Sequence, residues 1–475
     1  MNTPICDFVN EYCEKKAVRL HMPGHKGKTV IGPEALDITE IGGADVLYEK
    51  DSTGIIAQSE RNAAGIFGTA KTLYSTEGSS LCIRTMLYLV KMYAMQKRRE
   101  TGLQFVEEAD YVKDRRQQEK HTVTRRVCIA AGRNAHKTFI TAAALMDLDV
   151  IWMYSDQPGL VSCELSPERI EAYIQETQPD AVYITSPDYL GNIADIRGIA
   201  EVCRRHKTLL LVDNAHGAYL KFIPGKDSLS LHPADLGADL CCDSAHKTLP
   251  VLTGGAYLHI SENSPEFFRA QAEHAIKIFA STSPSYLILQ SLDRANQLIA
   301  DGFDTEIRET AARAEHLKEK LKEAGYCLTG MEVLKITIDA AAYGYSGEEL
   351  AQILEAHSIY SEFYDPEYLV LMISPGNTSA DLDELERVLK SIRRRSNIHT
   401  RAPRLKPGEV AMRPQEAMLY PGEEISIEEA EGRILASADV ACPPAIPIVV
   451  CGERISRSAI ECFRYYGIHS IHVIK

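Results

Sequence analysis

Lys247 lies in the stretch Cys241-Cys242-Asp243-Ser244-Ala245-His246-Lys247-Thr248-Leu249-Pro250, which runs on into Thr253-Gly254-Gly255-Ala256-Tyr257. An apolar run ends in Asp-Ser, a His-Lys pair follows, and a Gly-Gly turn leads into another short apolar strand. A lysine between two core-like strands is costly unless it is paired or covalently used. Desolvation also lowers the pKa of its amine and makes it a usable nucleophile. A solvated loop lysine is the commoner case, so the reading depends on what else the chain brings to the same place. Asp213-Asn214-Ala215-His216-Gly217 closes another apolar run, Leu209 to Val212. Glu77-Gly78-Ser79-Ser80 opens an apolar helix from Leu81 to Met95. Free backbone N–H groups, two hydroxyls and the positive end of a helix dipole suit a phosphate, although Ser at a helix start is also an ordinary cap.

The elements that would position these groups alternate. Strands are predicted at 71–75, 127–131, 150–154, 181–185 and 209–212, with helices at 57–67, 134–146, 196–206 and from the Ser166-Pro167 cap to Thr177. Strands alternating with helices at this spacing imply an α/β fold with a parallel sheet covered on both faces. Ligands of such sheets bind beyond the carboxyl ends of the strands, which is where His136, Ser186, Asp213 and His216 fall. A helical pattern covers 286–324. A smaller α+β section follows, with strands at 333–338 and 369–373, a capping box at Ser346-Gly347-Glu348-Glu349 and a last helix at 380–392. The division expected is an N-terminal arm (1–60), a large domain (61–285), a small α+β domain (286–396), and a linker with a C-terminal α+β module (397–475). The charged segment 97–126 reads as an exposed helical insertion.

The chain has 475 residues, 45% hydrophobic and 25% charged, with a formal net charge of −14. That length implies more than one domain. The acidic balance argues against a nucleic-acid surface and favours the approach of cations. No signal peptide or membrane-spanning run is evident. The twelve cysteines lack metal-type spacing and fit buried thiols of a cytoplasmic protein.

The order Asp213-Asn214-Ala215-His216-Gly217, Ser244-Ala245-His246-Lys247, Gly254-Gly255 resembles that of pyridoxal-phosphate enzymes of the aspartate-aminotransferase fold. His21-Met22-Pro23-Gly24-His25-Lys26, Asp37-Ile38-Thr39-Glu40, Arg133-Asn134-Ala135-His136-Lys137, His246-Lys247-Thr248-Leu249-Pro250 and Ser281-Thr282-Ser283-Pro284-Ser285-Tyr286 extend the likeness. With Glu428 to Ile434 and Pro443-Pro444-Ala445-Ile446-Pro447, they resemble the bacterial ornithine/lysine/arginine decarboxylase family over nearly the whole chain except 97–126. The resemblance implies pyridoxal 5'-phosphate held as a Schiff base on Lys247, with Asp213 pairing the pyridinium nitrogen, His136 stacked on the ring and His216 near its phenolic oxygen. It implies Ser79, Ser80, Ser244 and His246 around the phosphate, and Thr282 or Ser283 reaching in from a second subunit of a homodimer. The short form of the family, without an N-terminal receiver-like domain, is implied.

The expected reaction is decarboxylation of a basic amino acid, arginine or lysine ahead of ornithine, to a polyamine-pathway amine. Aminotransferases of this fold clamp the α-carboxylate with an Arg, and Met372 stands where that Arg would fall. Asn214, Asp188, Gln415, Cys442, Ala445 and Cys451-Gly452-Glu453 depart from the family pattern. The alternatives are therefore aminotransferase or other pyridoxal-phosphate chemistry, or a cofactor-binding paralogue acting as a scaffold. A desolvated substrate cation needs an acidic or aromatic partner, and Glu453 is the candidate.

Overall fold

Runs such as Leu209-Leu210-Leu211-Val212 are apolar on both of their alternating faces, which only a sheet covered on both sides accommodates. The computed structural model describes residues 1–16, 19, 22–23, 25–28, 32–39, 47–48, 53–100, 126–155, 160–225, 229–404, 406–438, 441–442 and 446–475. Most of the charged insertion, residues 101–125, and the run 443–445 lie outside them.

Seven strands form the main sheet: β1 (Lys71–Ser75), β2 (Cys128–Gly132), β3 (Asp149–Met153), β4 (Ala181–Thr185), β5 (Leu209–Asp213), β6 (Leu240–Asp243) and β7 (Ala256–Ile260), in the order β1-β7-β6-β5-β4-β2-β3. Strand β7 runs antiparallel to β1 and β6, and the remaining pairings are parallel. Side chains alternate between two cores, as a strand period of two requires. Ala130, Val182, Leu210, Val212 and Cys241 face one side with Ile170, Ile174, Ile199 and Val202. Those last four come from α5 (Pro167–Thr177) and α6 (Ile196–His206). Ile129, Ala131, Tyr183, Leu211 and Cys242 face the other side. There α3 (Gly78–Glu100) and α4 (Lys137–Leu145) supply Leu87, Val90, Phe139 and Ile140. Each fully buried Val, Leu or Ile contributes roughly 1.5–3 kcal/mol.

Helix α1 (Pro4–Glu14) docks its free N-terminal donors on a buried carboxylate: Ile5 N and Cys6 N donate to Asp293 Oδ2 at 3.0 and 3.1 Å. Asp293 lies in α10 (Tyr286–Leu298), beside α2 (Ile55–Phe67). Two arm motifs meet here as well, because His25 Nε2 lies 3.2 Å from Asp37 Oδ2. Short α7 (Pro233–Leu236) and α8 (Ala245–Thr248), then α9 (Glu266–Lys277), complete the large unit.

The predicted helix at 286–324 is broken. Gly302 at φ +113 interrupts it between α10 and α11 (Asp304–Glu323), a conformation only glycine adopts cheaply. The smaller sheet, β8 (Leu328–Thr329), β9 (Lys335–Asp339), β10 (Phe363–Tyr364) and β11 (Tyr368–Met372), is antiparallel in the order β10-β11-β9-β8. It buries Ile336, Ile338, Leu369 and Leu371 against Leu317, Leu350, Val388 and Leu389.

The C-terminal residues do not close a core of their own. Ile448, Ile455, Phe463 and Val473 share one cluster with Leu160, Leu190, Phe363 and Val370. Arg133, just after β2, ties them down: Nη1 and Nη2 donate to Pro447 O and Ile448 O at 2.7 and 3.0 Å. Its guanidinium faces the Trp152 ring at 5.5 Å and the Glu453 carboxylate at 3.8 Å, with both charged side chains 4% exposed.

A second buried charge sits at the end of β6. Asp243 Oδ2 accepts from His232 Nε2 at 2.9 Å and His259 Nε2 at 3.1 Å, and Oδ1 accepts from Asn214 Nδ2 at 2.7 Å. Burial opposes ionisation of Asp243, yet the two imidazoles hold it below the usual carboxylate range. Burial pushes His259 below its ordinary value despite that carboxylate. Ala234 N donates to His232 Nδ1 at 3.3 Å, so the His232 proton is on Nε2 and the trio is a hydrogen-bonded brace, not a metal site.

Removing Arg133 leaves Glu453 buried and unpaired. Arg133→Met should therefore lower the free energy of unfolding by roughly 3–5 kcal/mol, read from urea titration. Because the folded pKa of His259 lies below the unfolded value, the unfolded state binds more protons under about pH 6.5. Stability should fall as pH drops through that window, by up to about 1.4 kcal/mol per pH unit for the group. His259→Gln, which keeps a donor for Asp243, should flatten the pH dependence of the urea midpoint between about pH 6.5 and 5.

Candidate active site

The parallel strands end in residues that cannot stay apolar, because the chain turns there over the sheet edge. After β6 the chain turns directly into α8, which carries His246 and Lys247. Gly254 at φ +98 lets the returning strand pass so close that a Cβ would lie 2.9 Å from Thr76 O. Gly78 N donates to Gly254 O at 2.7 Å. That contact sets the start of α3, with its Ser79 and Ser80, beside α8.

Lys247 is half-buried, and its Nζ lies 2.9 Å from His216 Nε2. Burial lowers its pKa, with Asp213 and Glu362 opposing that shift and Lys335 adding to it. His216 is 4% exposed, and its Nδ1 has no hydrogen-bond partner among the described residues. Burial, then Lys335 and Lys247, push it well below the ordinary histidine range, so it is neutral at pH 7. The Tyr189 ring packs edge-on against His216 at 5.0 Å, with Lys247 Nζ 5.9 Å from its centroid.

Asp213 ends β5 with 2% exposure. Its Oδ2 accepts from Tyr183 Oη at 3.0 Å and its Oδ1 from Ala215 N at 3.3 Å. His136 was expected inside a helix from 134 to 146. Instead it caps α4, accepting from Thr138 N at 3.2 Å on Nδ1. The turn Arg133–Ala135 delays the helix, because Ala135 N is taken by Gly132 O. Burial lowers the His136 pKa, with Asp213 opposing that and Lys247 adding to it. Ser244 Oγ donates to Ser79 Oγ at 2.9 Å, and Ser80 Oγ lies 3.2 Å from Thr138 Oγ1. His246 turns its Nδ1 toward Gly255 O at 2.9 Å.

Lys247, Asp213, His216, His136, Ser79, Ser80, Ser244 and His246 therefore lie at strand ends, helix starts and the turns between them, along one edge of the sheet. Thr282 and Ser283 are exposed, on a loop tied to the same edge by Ser281 N donating to Glu77 Oε1 at 2.7 Å. Glu453, expected to meet a substrate cation, is committed elsewhere. It is 3% exposed, faces Arg133 and accepts from Val450 N at 2.8 Å. Sequence reasoning missed Tyr189 and Lys335. Tyr189 lies just beyond the β4 end, where the strand pattern could have flagged it. Lys335 is the first residue of β9 and carried no signal beyond its charge. Met372 ends β11 directly opposite Lys335.

The residues fit pyridoxal phosphate. A desolvated amine, a buried carboxylate on the neighbouring strand, an imidazole nitrogen without a partner among the described residues and a group of hydroxyls at a helix start would suit the aldehyde, ring nitrogen, phenolic oxygen and phosphate in turn.

Two family models match the chain: Orn/Lys/Arg decarboxylase, major domain, over residues 120–342, and Orn/Lys/Arg decarboxylase, C-terminal domain, over residues 398–470. The arginine decarboxylase of Bacillus subtilis (strain 168) is 28% identical over 493 residues, covering 97% of this chain and 92% of that protein. Lysine decarboxylase A from Pseudomonas aeruginosa superposes with a TM-score of 0.77 at 17% identity, covering 99% of this chain and 80% of that one. The E. coli constitutive lysine decarboxylase gives 0.74 at 17%, covering 100% and 82%. At these identities the structures speak for the fold alone, an α/β fold of the pyridoxal-phosphate type. Among the described residues no helix is long and apolar enough to cross a membrane. With both of its domain models matched, the chain belongs to the Orn/Lys/Arg decarboxylase family and is a pyridoxal 5'-phosphate-dependent carboxy-lyase of basic amino acids.

Proposed function

We propose that the protein removes CO2 from arginine or lysine, with ornithine less favoured, to give the corresponding polyamine-pathway amine. The observation that carries the reading is the Lys247 amine, desolvated and 2.9 Å from a neutral His216. Full-length similarity to proteins named arginine decarboxylase supports the choice of substrate. The net charge of −14 favours the approach of a cation.

When bound, the cofactor supplies a protonated pyridine ring that accepts the electron pair left behind by CO2. Lys247 would hold the cofactor through its side-chain amine. Its lowered pKa favours the uncharged amine, and His216 orients Nζ through the 2.9 Å contact at Nε2. Asp213, buried and already accepting from Tyr183, would pair with the ring nitrogen. His136 would pack on the cofactor, and Ser79, Ser80, Ser244 and His246 would hold its phosphate. No Arg stands at position 372, so the α-carboxylate is left ungripped, as its departure requires.

Thr282 and Ser283 complete the phosphate site of a second subunit in a homodimer. Leu252 (52% exposed) and Ile278 (49% exposed) supply apolar surface that a second copy would cover. The chain divides, in this reading, into an arm (1–60), a large domain (61–285), a small domain (286–396) and a C-terminal module (397–475).

Lys247→Ala should lose both the visible absorbance of the lysine-bound cofactor and all turnover; retention of either would overturn its assignment. Incubation of the holoenzyme with arginine, lysine and ornithine in turn, with products identified by mass, should give agmatine or cadaverine in excess of putrescine. Release of keto acid in amounts equal to the amine would favour aminotransferase chemistry, and no product from any of the three would favour a scaffold.

A further inference from the structure

Near the Lys247 site lies a buried ion pair that the proposed reaction does not use. Lys335 Nζ and Glu332 Oε2 are 2.6 Å apart, and each side chain is 1% exposed. A pair this deep is seldom a net gain in stability over an apolar replacement, because desolving two charges offsets their attraction. Its position is more informative than its strength. Lys335 opens β9 and stands in register with Met372 at the end of β11. It thus stands at the start of an inner strand of the small sheet, at the end of that sheet that faces the loop after β4.

Its second contact crosses that joint. Lys335 Nζ donates to Asp188 O at 3.2 Å, in the loop that follows β4. The same loop is held from the small sheet at several further points. Met331 N and Glu332 N both donate to Gly191 O at 2.7 and 2.9 Å, and Thr337 Oγ1 donates to Leu190 O at 2.9 Å. The loop also closes on itself, as Asn192 donates from N and Nδ2 to the Asp188 carboxylate at 2.9 Å each. Gly191 and Gly330 permit the approach; a Cβ on Gly330 would lie 2.1 Å from Leu190 O. Within this clamped loop Tyr189 is the residue that faces the site, with its ring against His216 and Lys247.

We propose that Lys335 is a positioning residue for the Lys247 site: paired with Glu332, it fixes the 188–192 loop and so holds Tyr189 against His216 and the Lys247 amine. The proposal rests on the reading of Lys247 as the cofactor-binding lysine. Glu332 also answers the Lys335 charge that would otherwise attract a substrate carboxylate. That keeps a cation beside the site without clamping the group that must leave.

The charge of Lys335 is felt at both His216 and Lys247, where it adds to the effect of burial. The other groups facing Lys247 are Asp213 on β5, Cys242 on β6, His216 after β5, His136 before α4 and Glu362 before β10. His246 acts on His216 as well. None of these is altered by changing the 332–335 pair.

The test is a pH titration of the visible absorbance of the holoenzyme, with steady-state kinetics on the same variants. Lys335→Met removes a cation and exposes the Glu332 charge, so the midpoint should rise by roughly half a pH unit or more. Glu332→Gln unmasks the cation, and the midpoint should fall by a similar amount. The Glu332→Gln/Lys335→Met pair should return the midpoint near that of the parent. It should still lose roughly tenfold or more in kcat with KM little changed, because the loop has lost its anchor at Asp188, the one next to Tyr189, while those at Leu190 and Gly191 remain. Lys335→Arg, which keeps the charge and a donor, should recover part of that loss. A purely structural brace would move thermal stability but not shift the two midpoints in opposite directions. Midpoints unmoved in both single variants, or parental kcat in the double variant, would overturn the proposal; if Lys335→Met does not fold, the fall expected in Glu332→Gln decides it. Loss of the visible band in Lys247→Ala tests the underlying assignment separately.

Discussion

An amine partly withdrawn from water with an imidazole as its neighbour is the condition on which the rest of the structure depends. Among the described residues no carboxylate ion-pairs with Lys247; His216 is its hydrogen-bonding neighbour. A direct ion pair would have held the lysine charged and inert. A neutral imidazole instead lets burial lower the amine pKa while offering it a hydrogen-bond partner without a countercharge. That arrangement needs the ends of β5 and β6 side by side, and the parallel pairing of Val212 with Cys241 and Asp213 with Cys242 supplies it.

The same edge carries several buried charges, each answered by different chemistry. Asp213 accepts from a tyrosine hydroxyl and a backbone N–H, so its charge remains available to a cationic ligand atom. Asp243, one strand over, is spent on two imidazoles and Asn214 and serves the framework. The two carboxylates look alike in sequence, since each ends an apolar strand. Partner chemistry separates them: neutral donors that leave room on Asp213, and a closed cage around Asp243. Asn214 belongs to that cage, which gives a physical reason for an amide at this position, one of those that depart from the family pattern. A second acid there would put two buried carboxylates against each other.

The small and C-terminal sections reach the site from outside the main sheet. The start of β9 clamps the loop after β4, and Arg133 in the turn after β2 holds the C-terminal backbone at Pro447 and Ile448. Both attachments begin at strand ends that also carry site residues. A shift of either section would therefore be transmitted to Tyr189 or to the turn ahead of His136.

The alternation of short apolar runs with helical segments determined the parallel sheet, and the runs that end in polar residues marked its functional edge. Lys247, Asp213, His136, His216 and the serines at Ser79, Ser80 and Ser244 were legible because local chemistry at a strand end or helix start is written in consecutive residues. What only the tertiary structure decided lies between distant segments. The start of α4 depended on a turn contact at Gly132, the break at Gly302 on one positive φ, and the use of Glu453 on Arg133, which lies far away in sequence. Tyr189 and Lys335 acquire their places only when the small sheet closes on the large one. Periodicity reports which face of an element is buried, but the partner of a buried charge is set by packing between elements, and that is not encoded in the spacing of either one alone.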